Sequence, residues 1–283
     1  MKKLYILMPV HNNIEITKRF IKCLSAQTCK NYHLVLIDDG STDNTADLVK
    51  RRIESASVIS GRGDWWWGGS LHQGYLWLRK NAADPDSLVL IINNDTEFDP
   101  GFLGKGVEIL EKNHEALVLA RSYNRESREL VDSGVHIDWS PYEIRPAKND
   151  EEVNCLSTRG LFLRVSDFFR IGGFYPRLLP HYWSDYEFTV RAFNMGMKLK
   201  TDENLKIFMD ESVTGHREFE GMAFTAFIKK LFSRRSTLNP FDRVVFIMLA
   251  CPSWKYKILN SISVIWMTLK MIIYQGIIKK LKS

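Results

Sequence analysis

The segment Leu88-Val-Leu-Ile-Ile-Asn-Asn-Asp-Thr-Glu97 runs five apolar residues straight into two amides and a carboxylate. The apolar run predicts a short buried strand. A strand that stops there delivers the oxygens of Asn93, Asn94 and Asp95 to the rim of a sheet, where open α/β folds bind ligands. Hard divalent cations take such oxygens and often bridge a carboxylate to a substrate's phosphates. The same polar residues would also serve as the cap of a following helix. Two more apolar-to-polar breaks precede this one, at Pro9-Val10-His11-Asn12-Asn13 and at Asp38-Asp39-Gly40. If the three strands are parallel, all three breaks share one edge, the crevice where nucleotides bind. Asp39 can accept a hydrogen bond from a base N–H, and His11 can lie flat against a base. Ordinary turn chemistry would use the same residue types.

Arg62-Gly-Asp64-Trp65-Trp66-Trp67-Gly-Gly-Ser70 is the next unusual stretch. Three consecutive tryptophans cannot all face one core from a helix or a strand. At least one should line a groove, where an aromatic face suits a sugar or a base, and the glycines would let backbone approach a ligand. In His181-Tyr-Trp-Ser-Asp-Tyr-Glu-Phe-Thr-Val-Arg191, a helix from Ser184 puts Asp185 in its first turn. The aromatic neighbours of Asp185 would raise its pKa and poise it as a base; a favourable helix-start carboxylate is the simpler reading. Glu187 diverges from Asp185 by about 200° on a helix, so it serves structure, paired with Arg191 at i+4. His216, in Val-Thr-Gly-His-Arg, follows one more apolar-to-polar break.

These residues need a scaffold, and the chain supplies an alternating one. Strands are expected at Leu4–Met8, Leu34–Ile37, Val58–Ser60, Leu88–Ile92 and Leu117–Ala120. Helices are expected at Ile14–Ala26, from the Ser41 cap to about Arg52, at Ser70–Asn81 and at Gly101–Lys112. Such alternation implies an α/β fold with a mostly parallel sheet covered on both faces. After about Arg121 the pattern is less regular, with an irregular β segment and a helix near Ser184–Met195. No G-x-G-x-x-G follows the first strand and no P-loop motif occurs, which argues against dinucleotide and P-loop chemistry. The four cysteines form no CxxC pair and no zinc spacing, so nothing calls for disulfides, and a reducing cytosol fits. The apolar run after Met1-Lys-Lys reads as a first strand rather than a secretory signal.

Charge is uneven along the 283 residues. Residues 221–283 hold eleven Lys or Arg and one acid, +10 against a total of +6, which leaves −4 on the first 220 residues. A basic tail points to an anionic surface. Ile258, Leu259, Ile262, Ile265, Trp266, Leu269, Ile272, Ile273 and Ile277 make an apolar stripe, with Lys257, Asn260, Ser261, Thr268, Lys270 and Gln275 largely opposite. The stretch is long enough to span a bilayer, but Lys270 near its middle would cost about 2.5–3.5 kcal/mol. Docking on a lipid surface is the favoured reading. Packing of the stripe on the protein's own body or on a second subunit is the alternative. Nucleic acid is not an expected partner.

In order along the chain, ILMPVHNN, LVLIDDGSTDNT, LIINNDTEFDPGFL, GLFLRVSDFFRIGGF and SDYEFTVRAFNMG resemble the inverting glycosyltransferases of family 2, over about residues 1–220. The resemblance implies a GT-A fold, one nucleotide-diphospho-sugar transferase domain. Residues 1–120 would be its nucleotide-sugar half, 121–220 its acceptor half, and 221–283 a basic amphipathic helical tail. It implies that Pro9, Val10, His11 and Asp39 hold the base. Asn93, Asn94 and Asp95 match the family's acidic metal motif, so Asp95 would carry Mg2+ or Mn2+ on the donor diphosphate, with Asn93 in place of the first acid. Asp185 would be the catalytic base, after Ser184 where an acid is usual. His216 stands where some members place a histidine on metal or diphosphate.

GRGDWWWGGSLHQG is similar to the donor loop of a bacterial, rhamnosyltransferase-like subset, which brings in Arg62, Asp64, Trp66 and Trp67; many relatives have Asn where His72 stands. No Gln-x-x-Arg-Trp occurs, which argues against a processive synthase. The implied activity is transfer of a sugar from a nucleotide-diphosphate donor to a saccharide or lipid-linked acceptor, in bacterial surface polysaccharide synthesis on the cytoplasmic face of the inner membrane. A catalytically inactive carbohydrate- or nucleotide-binding protein on the same fold is the second reading, and a nucleotidyltransferase on a related fold the third.

Overall fold

The structure, a computed structural model, describes residues 2–82, 84–140, 142–210 and 222–282, with side chains through Ile277. The first half alternates β1 (Leu4–Val10), α1 (Ile14–Ser25), β2 (Tyr32–Asp38), α2 (Thr45–Arg52), β3 (Ala56–Ser60), α3 (Trp66–Asn81) and β4 (Leu88–Ile91). Then come β5 (Thr96–Glu97), α4 (Phe102–Lys112), β6 (Ala116–Asn124), β7 (Leu130–Asp132), β8 (Val135–Asp138) and β9 (Glu143–Pro146). A short 3-10 turn precedes β10 (Leu161–Arg164), α5 (Val165–Ile171), α6 (Ser184–Asn194) and β11 (Lys198–Met209). Helices α7 (Phe224–Leu231), α8 (Pro240–Ala250) and α9 (Trp254–Lys282) form the tail.

Nine strands make one sheet in the order β3-β2-β1-β4-β10-β6-β11-β5, with β7 beside β6. Strands β3, β2, β1 and β4 are mutually parallel, so the loops after β1, β2 and β4 do leave the same edge. The expected parallel sheet is interrupted once in its middle, because β10 runs antiparallel to both β4 and β6. Strands from both halves of the chain therefore share one sheet. Side-chain alternation splits the core in two. Leu4, Ile6 and Met8 meet Phe20 of α1 and Phe102 of α4 on one face; Leu7, Val35 and Ile37 meet Leu71 of α3, Phe168 of α5 and Phe188 of α6 on the other.

Three local expectations change. Helix α2 is not capped by Ser41: Asn44 holds the cap position in a left-handed conformation, and Asp43 accepts from the Thr45 amide at 3.2 Å. Helix α3 begins at Trp66, four residues before Ser70, so Trp66 and Trp67 are helical. The residues after Asp95 form β5, not a helix, which removes the capping reading for Asn93-Asn94-Asp95.

The apolar stripe of the tail faces away from the body. Helix α9 rests on the body through Val264, 0% exposed in a cluster with Phe246 and Ile247, and through buried Asn260 and Thr268. Asn260 donates to the Trp139 carbonyl at 3.0 Å. The polar edge is thus the edge that packs: Asn260 reaches a carbonyl of the body, and Thr268 settles its hydroxyl on the Val264 carbonyl of its own helix. The apolar stripe points away: Ile262 is 59% exposed, Trp266 57% and Ile273 58%. Docking of the stripe on the protein's own body is therefore not what the structure shows.

Candidate active site

The three strand-end loops are sewn together by hydrogen bonds. Asn12 and Asn13 sit at φ 60° and 65°, the left-handed region that asparagine tolerates. This turn lets the Asn12 amide donate to Ser41 Oγ at 2.8 Å, while Asn12 Oδ1 accepts from the Thr42 amide at 2.9 Å. Asp43 Oδ2 accepts from the Ile14 amide at 2.8 Å, at the start of α1. Burial works to raise the Asp43 carboxyl, but its bonds to Thr45 and Ile14 outweigh that and hold it below the ordinary value.

Asp39 is the anchor of this edge. Its carboxylate is 5% exposed and accepts from three backbone amides: Gly63 at 2.8 Å, Trp65 at 2.9 Å and Trp66 at 3.0 Å. A carboxylate offers about four lone-pair sites, so roughly one remains for a ligand. His11 Nδ1 lies 2.6 Å from the Asp39 carbonyl, so Nδ1 carries a proton and donates to it. Pro9 and Val10 are buried in β1, and the Val10 carbonyl accepts from the Asp39 amide. Arg62 and Asp64 lie exposed on the turn that Asp39 holds.

The tryptophans separate as a helix start demands. Trp65 and Trp67 pack on the core, with Trp67 Nε1 donating to Thr158 Oγ1 at 3.1 Å. Trp66, at φ 57°, turns the other way, 5.5 Å from the His181 ring and under the Arg235 guanidinium. Burial, helped by Arg235, pushes His181 down to about 4, so its ring is neutral near pH 7. The glycines after the tryptophans approach the protein's own backbone rather than a ligand: a Cβ on Gly68 would stand 2.6 Å from the Leu179 carbonyl and 2.9 Å from Ser184 Cβ. That contact brings the start of α3 against the start of α6.

Helix α6 carries two acids with separate duties. Glu187 is 2% exposed and pairs with Arg191 at 2.9 Å, and Arg191 also donates to the Ile171 and Gly173 carbonyls. Asp185 faces elsewhere. Its Oδ1 accepts from the Tyr186 amide at 2.9 Å, so the helix-start role is present as well. Burial pushes its carboxyl up to about 6, against the pull of that amide and of Arg159; Asp132 adds to the rise. A carboxylate titrating there is ionised at pH 7 yet basic enough to take a proton.

Asp95 stands at the end of β4 with Oδ1 buried and no hydrogen-bond partner, and Asn93 Oδ1 is in the same condition. Asn94 turns aside to donate to Thr17 Oγ1 at 3.0 Å. Burial raises the Asp95 carboxyl; Arg159 draws it back and Asp210 adds to the rise. Two orphaned buried oxygens of this type fit a divalent cation. Among the described residues no cluster of three or more His, Cys, Asp or Glu could hold one unaided, so other ligands must complete the set. His216 lies outside the described residues.

Arg159, which the sequence reading passed over, acts on both Asp95 and Asp185 through its charge. The signal was a lone cation followed by glycine, in Ser157-Thr-Arg-Gly160 before an apolar strand. A separate open depression, lined by Asn113, Asp150, Lys198 and Asp202, lies at the opposite end of the strands, where β6 and β11 begin.

This sheet, with its switch from parallel to antiparallel pairing beside the strand that leads into the Asp95 turn, is the GT-A glycosyltransferase architecture. The fold is similar to TarS 1–349 of S. aureus (TM-score 0.58, 14% identity, 90% of this chain and 68% of that one). It is also similar to the mannosyltransferase PcManGT from Pyrobaculum calidifontis in complex with GDP-Man and Mn2+ (TM-score 0.57, 13% identity, 99% of this chain and 87% of that one). GalNAc-T7 with UDP, GalNAc and Mn2+ matches with TM-score 0.63 at 14% identity, over 87% of this chain and 47% of that one. The model of Glycosyl transferase family 2 matches residues 5–169, and the chain belongs to that family. An uncharacterized glycosyltransferase of Rickettsia conorii is 40% identical over 47 residues, which is 17% of this chain and 8% of that protein's length.

Proposed function

We propose that this glycosyltransferase moves a sugar from a nucleoside diphosphate donor to a hydroxyl of a saccharide or lipid-linked saccharide, with inversion at the anomeric carbon. The observation that carries the reading is the pairing of Asp95, whose buried oxygen has no partner, with Asp185, whose carboxyl is raised to about 6. Both feel the charge of Arg159.

The base rests at the edge formed by Pro9, Val10 and His11, with the remaining lone pair of Asp39 toward a base N–H. The turn holding Arg62, Asp64 and Trp66 borders the donor. Asp95 and Asn93 would hold Mg2+ or Mn2+, with the donor phosphates as further ligands. When bound, the cation neutralises charge on the diphosphate. Asp185 takes the proton of the acceptor hydroxyl as its oxygen bonds to the anomeric carbon. The bond from that carbon to the phosphate oxygen breaks, and its electron pair leaves with the nucleotide. General-base assistance is worth roughly 10²–10⁴ in rate. Residues 1–120 serve the donor, 121–220 the acceptor, and 221–283 the membrane.

Helix α9, from Trp254 to Ile277, is long and apolar enough to cross a membrane by length and composition, with mean hydropathy 1.3. Its outward stripe, the exposed Lys255 and Lys270, the half-buried Lys257 and its packed edge favour lying on an anionic surface instead. In this reading the enzyme works at the cytoplasmic leaflet, near a lipid-linked acceptor of surface polysaccharide synthesis. Solved relatives hold UDP-GlcNAc and GDP-Man, so those donors come first. The test is a thermal-shift screen of UDP-, dTDP- and GDP-sugars with Mn2+, followed by transfer with the stabilising donor. One stabilising class supports the reading. No stabilisation and no donor turnover would sink it, and stabilisation without turnover would favour the inactive binding protein.

A further inference from the structure

Arg159 is unlike most arginines of the body. Arg121, Arg125, Arg145, Arg170 and Arg191 each reach a carboxylate, and Arg164 donates to two backbone carbonyls. Arg159 has no oxygen acceptor among the described residues. Its one hydrogen bond runs from Nη1 to Met209 Sδ at 2.7 Å, and its Nε is buried with no partner. A guanidinium offers five N–H donors, and thioether sulfur is a weak acceptor. Among the described residues the cation has no oxygen in hydrogen-bond reach, and Asp95 and Asp185 act on it only through space, so its N–H donors are open to an anion.

The backbone around it is held on both sides. Ser157 Oγ donates to Asp132 Oδ2 at 2.7 Å, and Thr158 Oγ1 accepts from Trp67 Nε1 at 3.1 Å. The Gly160 amide donates to the Ile91 carbonyl at 2.9 Å, and the Gly160 carbonyl accepts from the Ala120 amide at 3.0 Å. Gly160 is at φ +84°, where a side chain would be strained and would press on Ala120 Cβ at 3.1 Å. Ile91 is the last residue of β4. The loop is therefore fastened to the strand whose continuation is Asn93-Asn94-Asp95, and its cation acts through its charge on both acids proposed for the reaction.

We propose that Arg159 binds the diphosphate of the donor nucleotide and takes up its charge as the glycosidic bond breaks. This rests on the transferase reading above. The planar fork suits bidentate binding to phosphate oxygens. In the transfer, the carbon–oxygen bond to the distal phosphate breaks, the electron pair stays on that phosphate oxygen, and Arg159 N–H groups meet the new charge. The acceptor's proton goes to Asp185, so atoms and charges balance without a further reactant.

Calorimetric titration tests this with UDP, GDP and dTDP against UMP, GMP and dTMP, in Mg2+, on the full chain. Wild-type protein should prefer one diphosphate over its monophosphate. Arg159→Met should weaken that diphosphate about tenfold or more, the scale of a lost charge-assisted pair, and leave the monophosphate within about twofold. Arg159→Lys should fall between, since it keeps charge but loses the fork; it carries the test if Arg159→Met does not fold. A second readout is the acid limb of kcat/KM. The charged and titratable groups facing Asp185 are Arg159, Asp132, Cys155 and Tyr186. Loss of Arg159 should move the limb to higher pH, which a purely structural loop residue would not do. Wild-type diphosphate affinity and an unmoved limb in folded variants overturn the assignment while leaving the transferase reading intact. A wild-type protein that binds none of the diphosphates overturns both.

Discussion

The edge formed by the ends of β1 and β2 and the proposed reaction centre around Asp95 and Asp185 treat polar groups in opposite ways. At the edge, Asp38, Asp39, Asp43 and Asn12 all spend their oxygens on backbone amides of neighbouring loops. In the centre, Asp95 Oδ1, Asn93 Oδ1, Arg159 Nε and His181 Nδ1 are buried with no partner. The backbone shows the same contrast. Left-handed positions at the edge fall on Asn12, Asn13 and Asn44, whereas those at the starts of α3 and α6 fall on Trp66 and Trp183. Asparagine accepts that conformation, and for a bulky aromatic it is strained. Satisfied groups build a rigid rim, and unsatisfied or strained ones mark where a ligand is expected to supply what is missing.

The comparison breaks or sharpens through substitution, and the largest effect is expected in the centre. Asp185→Asn should cut transfer by roughly 10²–10⁴ while donor binding by calorimetry stays near wild type. Its folded pKa, about 6, lies above the ordinary aspartate value. Protonation therefore favours the folded state, and stability falls as pH rises through that window. Removing the charge should leave the melting temperature at pH 7.5 unchanged or higher, so a rate loss with a lowered Tm would count against the contrast.

Asp95→Asn should lower transfer by about 10²–10³ and abolish the coupling of Mn2+ affinity to bound nucleotide. With few chain ligands for the metal, wild-type affinity for Mn2+ should rise strongly when donor is present; equal titrations with and without donor would contradict this.

At the edge the damage should be to folding. Asp39→Ala leaves three amides without their acceptor and should cost about 3 kcal/mol, or on the order of 6–10 °C in Tm for a chain of this size. A variant that melts like wild type but fails to bind nucleotide would show that Asp39 serves the ligand more than the loop. The smallest effect on chemistry is expected at the tail. Ile262→Ser with Trp266→Ser, both on the outward face of α9, should weaken binding to anionic vesicles and leave transfer to a soluble acceptor unchanged. Equal vesicle binding would argue against docking.

The sequence made the edge legible because strand ends announce themselves: an apolar run that stops at polar residues has few other meanings in an α/β chain. Glu187 was readable for a similar reason, since its i+4 partner Arg191 is local. What it could not show is where a long-range partner sits. Ser41 has the chemistry of a helix cap, but the left-handed turn at Asn12 claims its hydroxyl. Gly68 has the freedom to meet a ligand, but α6 folds against it. Arg159 follows Ser157 and Thr158 with no periodic pattern, and only its lack of an oxygen acceptor among the described residues makes it conspicuous. In α9 the stripe was visible and its direction was not, because Asn260 finds its partner Trp139 about a hundred residues away and Val264 packs on another helix.

The account's central claim is that the unsatisfied centre, with Asp185 as its base, is where the reaction occurs. The most direct test is the pH profile of kcat/KM for sugar transfer with saturating Mn2+. The account predicts a rate that falls tenfold per pH unit below about 6, a limb that disappears from the residual activity of Asp185→Asn. A wild-type rate that stays level from about pH 7 to about pH 5 would contradict it.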